Sequence, residues 1–236
     1  MDSGTIVLLN QLNREFYQIV ASSFDETRSR PWPGWIQLLS YLPQRSLRVL
    51  DIGCGNGRFA LFLNEHRRMV YTGIDSNPYL LKRAEILLKE HRIEHQVQHA
   101  DLLENDTPDY PPQDFIGAFG VMHHIPGFEQ RRKFIQKAAH WLSSDGILAV
   151  TFWAFYEQAR FRERIVPWDD PRVPEKYRNL PVEKHDYLLE WRRDTPALRY
   201  CHYVDTEEQE KLTEDLKVIA SYDADGSNRY IVLQKR

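Results

Sequence analysis

The sequence predicts an α/β fold: an open, mostly parallel seven-stranded sheet, with five parallel strands followed by a C-terminal antiparallel hairpin and helices between the strands. Three observations carry this. From Leu47 onward, short β-rich runs alternate with apolar segments of helical period, the pattern of strands joined by crossovers. The first run, Leu47 to Asp51, opens into a loop with glycines at 53, 55 and 57, then into the helical spacing of Phe59, Ala60, Phe62 and Leu63. Three acids, Asp51, Asp75 and Asp101, each close a strand, which collects them on the sheet edge where open α/β sheets bind ligands.

In chain order, Leu8, Leu12, Phe16, Ile19 and Val20 recur at helical spacing, and a second helix starts near Pro33. Between them, Phe24 to Pro33 holds two arginines and a tryptophan pinned by prolines, which reads as a lid over a ligand or as a helix pair capping the sheet. Strands follow at 47–51, 70–74, 95–100, 115–121 and 146–153, alternating with helices at 57–66, 78–91 and 129–142. A helix at 206–215 leads into a hairpin, 217–222 and 230–234, across Asp225-Gly226. Residues 154–204 break the alternation with a helix over 155–165, a proline-rich loop, and a hairpin of 186–191 and 198–204 turning at Asp194 to Ala197. This insertion follows the fifth strand, where substrate selection is built. The expectation is one domain over 1–236: a helical cap (1–46), a ligand-binding core (47–152), a substrate-side insertion (153–204), and a last helix with hairpin (205–236).

With 31 Lys and Arg against 34 Asp and Glu, the formal net charge is −3, so no global basic field announces a polyanion partner. The insertion is balanced too, with 10 basic and 9 acidic residues. Cys54 and Cys201 form neither a metal-ligand nor a disulfide pattern, which suits a reducing compartment. No apolar run approaches the ~20 residues a membrane helix needs. A soluble, cytoplasmic protein without metal or membrane contact is expected.

The glycine loop reads Gly-x-Gly-x-Gly, with an acid two positions before its first glycine. A dinucleotide fingerprint has different spacing, and an acid is a poor neighbour for pyrophosphate. It suits a cation, and S-adenosylmethionine carries a sulfonium and an ammonium. The cofactor candidates on this loop are Asp51, Gly53, Cys54, Gly55, Asn56 and Gly57. Asp75, 18 residues past Gly57 and followed by Ser76, can accept both ribose hydroxyls, and it can equally cap the next helix. Asp101 can accept from an adenine amino group while Leu102 covers the ring, although a turn role is as natural. Gly120, near the end of the fourth strand, completes the set.

Asp51-Ile-Gly-Cys-Gly-Asn-Gly57 with Asp75 and Asp101 resembles the class I S-adenosylmethionine-dependent methyltransferases, over roughly 47–152. The resemblance implies their Rossmann-like sheet and their cofactor. A narrower likeness spans most of the chain. Phe24-x-x-Thr27-Arg28-x-x-Pro31-Trp32-Pro33, Val121-x-His123-His124, Phe152-Trp153-Ala154, Val166-Pro167-Trp168 and Arg199-Tyr200-x-His202 resemble the tRNA wobble-uridine carboxymethyl methyltransferases. That family esterifies the carboxylate of a 5-carboxymethyl-type uridine, and some members need a small zinc-binding partner protein that activates them. Cys201 stands where the family pattern has tyrosine. The likeness implies Arg28, His123, His124, Arg199 and His202 as catalytic candidates and Trp32, Trp153, Trp168 and Tyr200 as substrate contacts. A carboxylate acceptor is ionised at neutral pH and needs no general base, so an Arg or His would only hold and aim it. A small acid, phenol or amine as acceptor, or a catalytically silent cofactor-binding scaffold, are the alternatives.

Overall fold

A computed structural model describes residues 1–101, 108–193 and 195–236; Leu102 and the turn residue Asp194 lie outside them. The main sheet holds seven strands: β1 (Leu47–Ile52), β2 (Met69–Asp75), β3 (His95–His99), β4 (Gln113–Ala118), β5 (Leu142–Trp153), β9 (Lys217–Ala224) and β10 (Asn228–Gln234). Their order is β3-β2-β1-β4-β5-β10-β9, with the first five parallel and β10 antiparallel to both neighbours. The expected sheet is therefore the observed one. The order reverses between β1 and β4, and at such a switch point a crevice opens beyond the strand ends.

Apolar side chains fill both faces. On one, α5 (Phe128–His140) buries Phe134, Ile135, Ala138 and Ala139 over β4, β5 and β10. On the other, α2 (Gly34–Leu38), α3 (Arg58–Asn64) and α4 (Pro78–Glu90) gather Trp35, Phe59, Phe62, Leu63, Leu81 and Leu88 over the same strands. α4 starts where Asn77 caps the Leu80 N–H, with Pro78 in the first turn. Residue 57 needs glycine for two reasons. Its φ is +79°, and a Cβ there would stand 3.2 Å from that of Ala84 on α4.

The long N-terminal helix α1 (Ser3–Glu26) begins at Asp2, whose carboxylate accepts from the Thr5 N–H. Its buried stripe, Leu9, Leu12, Phe16 and Val20, does not rest on the main sheet. It packs against a second, three-stranded sheet of β6 (Ile165–Val166), β7 (Asp186–Trp191) and β8 (Ala197–His202). The helix expected over 155–165 is interrupted: a 3-10 turn, Phe155–Glu157, precedes the short α6 (Ala159–Arg162), and Ile165 already belongs to β6. The β-branched pair Ile165-Val166 gains an antiparallel partner in β7, and that pairing outweighs continued helix.

A buried polar network ties the second sheet to α5 and to α7 (Thr206–Thr213). Asp186 accepts from the Tyr200 hydroxyl at 2.7 Å and faces His202 Nδ1 at 2.6 Å, while His202 Nε2 meets Glu208 at 2.7 Å. Arg131, fully buried, donates to Glu208, Glu183 and the Ile125 carbonyl. Removing that cation takes the ion pair from Glu183 and leaves Glu208 with His202 alone, so Arg131→Met is expected to cost about 3 kcal/mol. Urea unfolding checks this; a loss below about 1 kcal/mol would mean the network holds little of the fold.

Candidate functional site

Beyond the carboxyl ends of β1, β2 and β4 lies a cleft of about 1040 Å³ whose walls are α1, the lid segment and the insertion. Its floor is the glycine loop, where Gly53 and Cys54 both donate to the Ile74 carbonyl and lock the β1 turn to β2. Gly53 has φ +71°, and a Cβ there would strike Val121 at 2.5 Å. Gly55 faces open space. Gly57 stands just behind the cleft lining, where its missing Cβ serves the α3–α4 packing described above. Gly120, Ser76, Cys54 and Asn56 all line the wall, and the Gly120 N–H donates to Thr151 Oγ1.

The acids occupy one half. Asp51 is almost fully buried and accepts from the Tyr71 hydroxyl at 2.7 Å; burial, reinforced by Asp75, pushes its carboxyl up to about 7. Asp75 accepts from the N–H groups of Gly55 and Asn77 at 2.9 and 2.8 Å, one on each oxygen, and burial raises it as well. Two carboxylate oxygens offer about four acceptor sites, so capacity for two hydroxyls remains. Asp101 meets Arg14 at 2.7 Å, a contact between the segment after β3 and α1 that the sequence did not announce.

Arginines occupy the other half. Arg28 is largely buried, lies 4.1 Å over the Phe24 ring and donates to Thr27; burial, then Arg199 and Arg193 nearby, brings its guanidinium down to about 10. Arg199 lies 4.8 Å over Trp153 and 5.4 Å over Phe16. Arg58, at the start of α3, lies over Trp32 and Trp35, and burial followed by the Arg28 charge lowers it to about 9. Neither Arg28, Arg58 nor Arg199 forms an ion pair with a carboxylate of the described residues.

His123 and His124 stand between the halves, their rings 4.0 Å apart. Burial and the neighbouring cations hold His123 far below the usual imidazole range and His124 at about 3, so both are neutral at physiological pH. Neither can hold a carboxylate as an imidazolium, which leaves that task to arginine. His124 Nε2 lies 2.8 Å from the Tyr17 hydroxyl and Nδ1 3.2 Å from the Tyr200 carbonyl, which fits a ring donating from Nδ1. Asn13 joins the same corner, accepting from the Tyr200 N–H. Trp153 sits edge-on to His123 at 5.0 Å, and Trp32 stacks on Trp35 at 5.6 Å.

Three expected site residues lie elsewhere. Tyr200 and His202 are buried in the Asp186 network, and Trp168 packs under α1 with its Nε1 donating to the Asp186 carbonyl. The cause is strand alternation: on β8, Arg199 and Cys201 share one face while Tyr200 and His202 share the other. That rule was available from the sequence. Tyr17 and Asn13 were hidden in the long helical segment of α1, whereas Arg58 is adjacent to the glycine loop and its helix-start position was a usable signal.

Fold and cleft together define a class, a doubly wound α/β protein with a charged ligand cleft at its topological switch point. The chain belongs to the methyltransferase domain family, whose model matches residues 24–216. Among curated proteins it is similar to the tRNA (carboxymethyluridine(34)-5-O)-methyltransferases of Mus musculus (31% identity over 61% of this chain and 20% of the relative), Saccharomyces cerevisiae (25%, 75% and 70%) and Schizosaccharomyces pombe (25%, 96% and 97%). The chain thus spans a fifth of the mouse relative's length. A Pyrococcus horikoshii protein of known structure shares the fold at a TM-score of 0.71 and 16% identity, over 94% of this chain and 99% of that one. An S-adenosylmethionine-dependent methyltransferase from Clostridium acetobutylicum shares it at 0.65 and 12%, over 94% and 98%.

The residues fit that cofactor. Asp51 is a buried acid at the cleft wall with no cation of the described residues paired to it, Gly55 leaves room at the loop, and Asp75 retains acceptor capacity. A cationic ligand favours ionised Asp51, so cofactor affinity should rise as pH rises from about 6 to 8, through the value near 7. The sign runs opposite for the free protein. An acid whose pKa is raised on folding contributes stability at low pH that is lost as pH climbs through the folded value. Calorimetric titration of S-adenosylmethionine across this range checks the affinity; a flat profile in wild type, equal to that of Asp51→Asn, would contradict it.

Proposed function

We propose that this chain methylates the carboxylate of a 5-carboxymethyl-type uridine in tRNA, forming the methyl ester. The observation that carries the reading is the division of the cleft: Asp51 and Asp75 on the loop side, with no ion pair among the described residues, and Arg28 and Arg199 facing the insertion side, likewise with none. The names of the curated relatives support the same acceptor.

When bound, S-adenosylmethionine supplies an electrophilic methyl group on a sulfonium. Asp75 would accept from its ribose hydroxyls, Asp51 would face its positive charge, and the N–H-rich loop of Gly53 to Asn56 would lie against it. The chain's remaining task is to present an anion. Arg28 and Arg199, each parked on an aromatic face, keep guanidinium N–H groups for a carboxylate, and a planar fork suits that partner. Trp153, Phe24 and the neutral pair His123 and His124 line the surroundings with groups that displace water without charging the site. Fixing both reactants in this way can supply roughly 7–11 kcal/mol of the barrier. No proton has to leave the acceptor, which accords with the absence of a basic imidazole beside it.

The test is transfer of label from methyl-labelled S-adenosylmethionine into tRNA carrying 5-carboxymethyluridine. The expected product is an ester that mild alkali removes, formed at a kcat flat between about pH 6.5 and 8.5 when the cofactor is saturating, because Asp51 stays ionised beside the bound cation and neither histidine titrates there. Alkali-stable label, or label only in small acids, would overturn the acceptor. Cofactor binding without transfer, relieved by a cell extract, would bring in the small activating partner that the resemblance implies.

A further inference from the structure

The cleft holds more arginine than one carboxylate can use. Besides Arg28, Arg58 and Arg199, its mouth is lined by Arg160, Arg164 and Arg193, all three from the insertion. Arg160 and Arg193 are exposed and Arg164 is half-buried. None is ion-paired with a carboxylate of the described residues, although Arg172 and Arg192 of the same insertion are paired with acids. Each rests instead on a ring. Arg160 and Arg164 lie 4.7 and 5.7 Å from the centre of the one Phe161 ring, and Arg193 lies 5.6 Å from that of Trp191. Such stacking fixes the guanidinium plane and leaves its edge donors for an oxyanion.

The rings also connect mouth to floor. Phe161 meets Trp153 edge-on at 4.8 Å, and Trp153 meets His123 at 5.0 Å. Arg160 and Arg164 are therefore placed by the same aromatic chain that walls the reaction centre, and Arg193 by Trp191, which meets Phe16 and Phe24. Like charges held at one opening repel each other unless an extended anion lies among them. A small acid reaching Arg28 and Arg199 would leave the outer three unanswered. A polynucleotide threaded to the floor brings a phosphate for each, and exposed bases to stack on the rim aromatics.

We propose that Arg160, Arg164 and Arg193 form a phosphate-binding rim that grips the RNA backbone flanking the acceptor nucleotide. It rests on the reading of the cleft as an RNA carboxyl-methylating site, and it assigns the grip on the chain to residues distinct from those facing the carboxylate.

The test separates binding from transfer. A fluorescent RNA stem-loop with an unmodified uridine in its loop is titrated by anisotropy at several salt concentrations, with the full chain and with the triple variant R160A/R164A/R193A. The variant is expected to bind at least tenfold more weakly, and its log Kd against log salt should flatten by about 2, near 0.7 per lost phosphate contact. The triple lysine variant should retain most of the slope. Equal Kd and slope in wild type and the alanine variant would overturn the rim, as would displacement of the RNA by polyglutamate at comparable charge concentration, which would indicate an acidic protein partner. The two readings fail separately. RNA binding that needs the rim but no methyl transfer leaves the rim and removes the activity. Transfer to tRNA with an unchanged KM in the alanine variant leaves the activity and removes the rim.

Discussion

Asp51 sets the constraint on which the rest of the site depends. It stands one residue before the end of β1, buried with the Tyr71 hydroxyl as its hydrogen-bond partner. An unpaired carboxylate in that position is costly, and its own ionisation is suppressed for that reason. A positive ligand on the glycine loop removes the conflict. The turn itself is forced, because Gly53 lies against Val121 and its N–H is committed to β2. The position of the cofactor half thus follows from strand order and a few backbone hydrogen bonds.

The acceptor half is built differently, from residues distant in sequence. α1 rests on β8 rather than on the main sheet, and from there it reaches both sides of the cleft. Arg14 meets Asp101 on one side, and Tyr17 with Asn13 meets His124 and β8 on the other. Asp25, at the end of α1, accepts from Asn56 of the glycine loop at 2.7 Å and pairs with Arg83 of α4. The helix is a strap across the mouth, and the Arg131–Glu208–His202–Asp186 network holds the sheet beneath it. In that network His202 is raised: burial opposes its charge, but the hydrogen bonds that its ring donates to Asp186 and Glu208 outweigh it. The residue supports the wall from behind and does not face the acceptor.

Much of this was legible in the sequence. Strand-closing acids, the glycine loop and the antiparallel end of the sheet are local signals, since period-two alternation and turn chemistry act over a few residues. Arg28, Arg199 and Trp153 came from short motifs, and the structure sets them around one space. What was not legible is long-range. Nothing in the stripe of α1 says that its partner is a hairpin 160 residues and more downstream. In the insertion, Arg160 with Arg164 one turn apart and Arg192-Arg193 beside Trp191 stand out in the sequence as local basic patches, but the sequence does not say which of them is neutralised: acids pair with Arg172 and Arg192 and leave Arg160, Arg164 and Arg193 at the cleft. Reading Arg199 and His202 as joint site residues overlooked that three positions along a strand point to opposite faces.

The account stands or falls on the division of one cleft into a cation-holding half and an anion-holding half. The most direct measurement is a side-by-side comparison of Asp75→Ala, Arg28→Ala and Arg199→Ala for cofactor Kd and for acceptor kcat/KM. The account predicts that Asp75→Ala weakens the cofactor at least tenfold. Each arginine variant should keep cofactor Kd within about twofold while losing roughly 1.5–3 kcal/mol, about 10- to 150-fold, in acceptor kcat/KM. Arginine variants that lose the cofactor as severely as Asp75→Ala would contradict it.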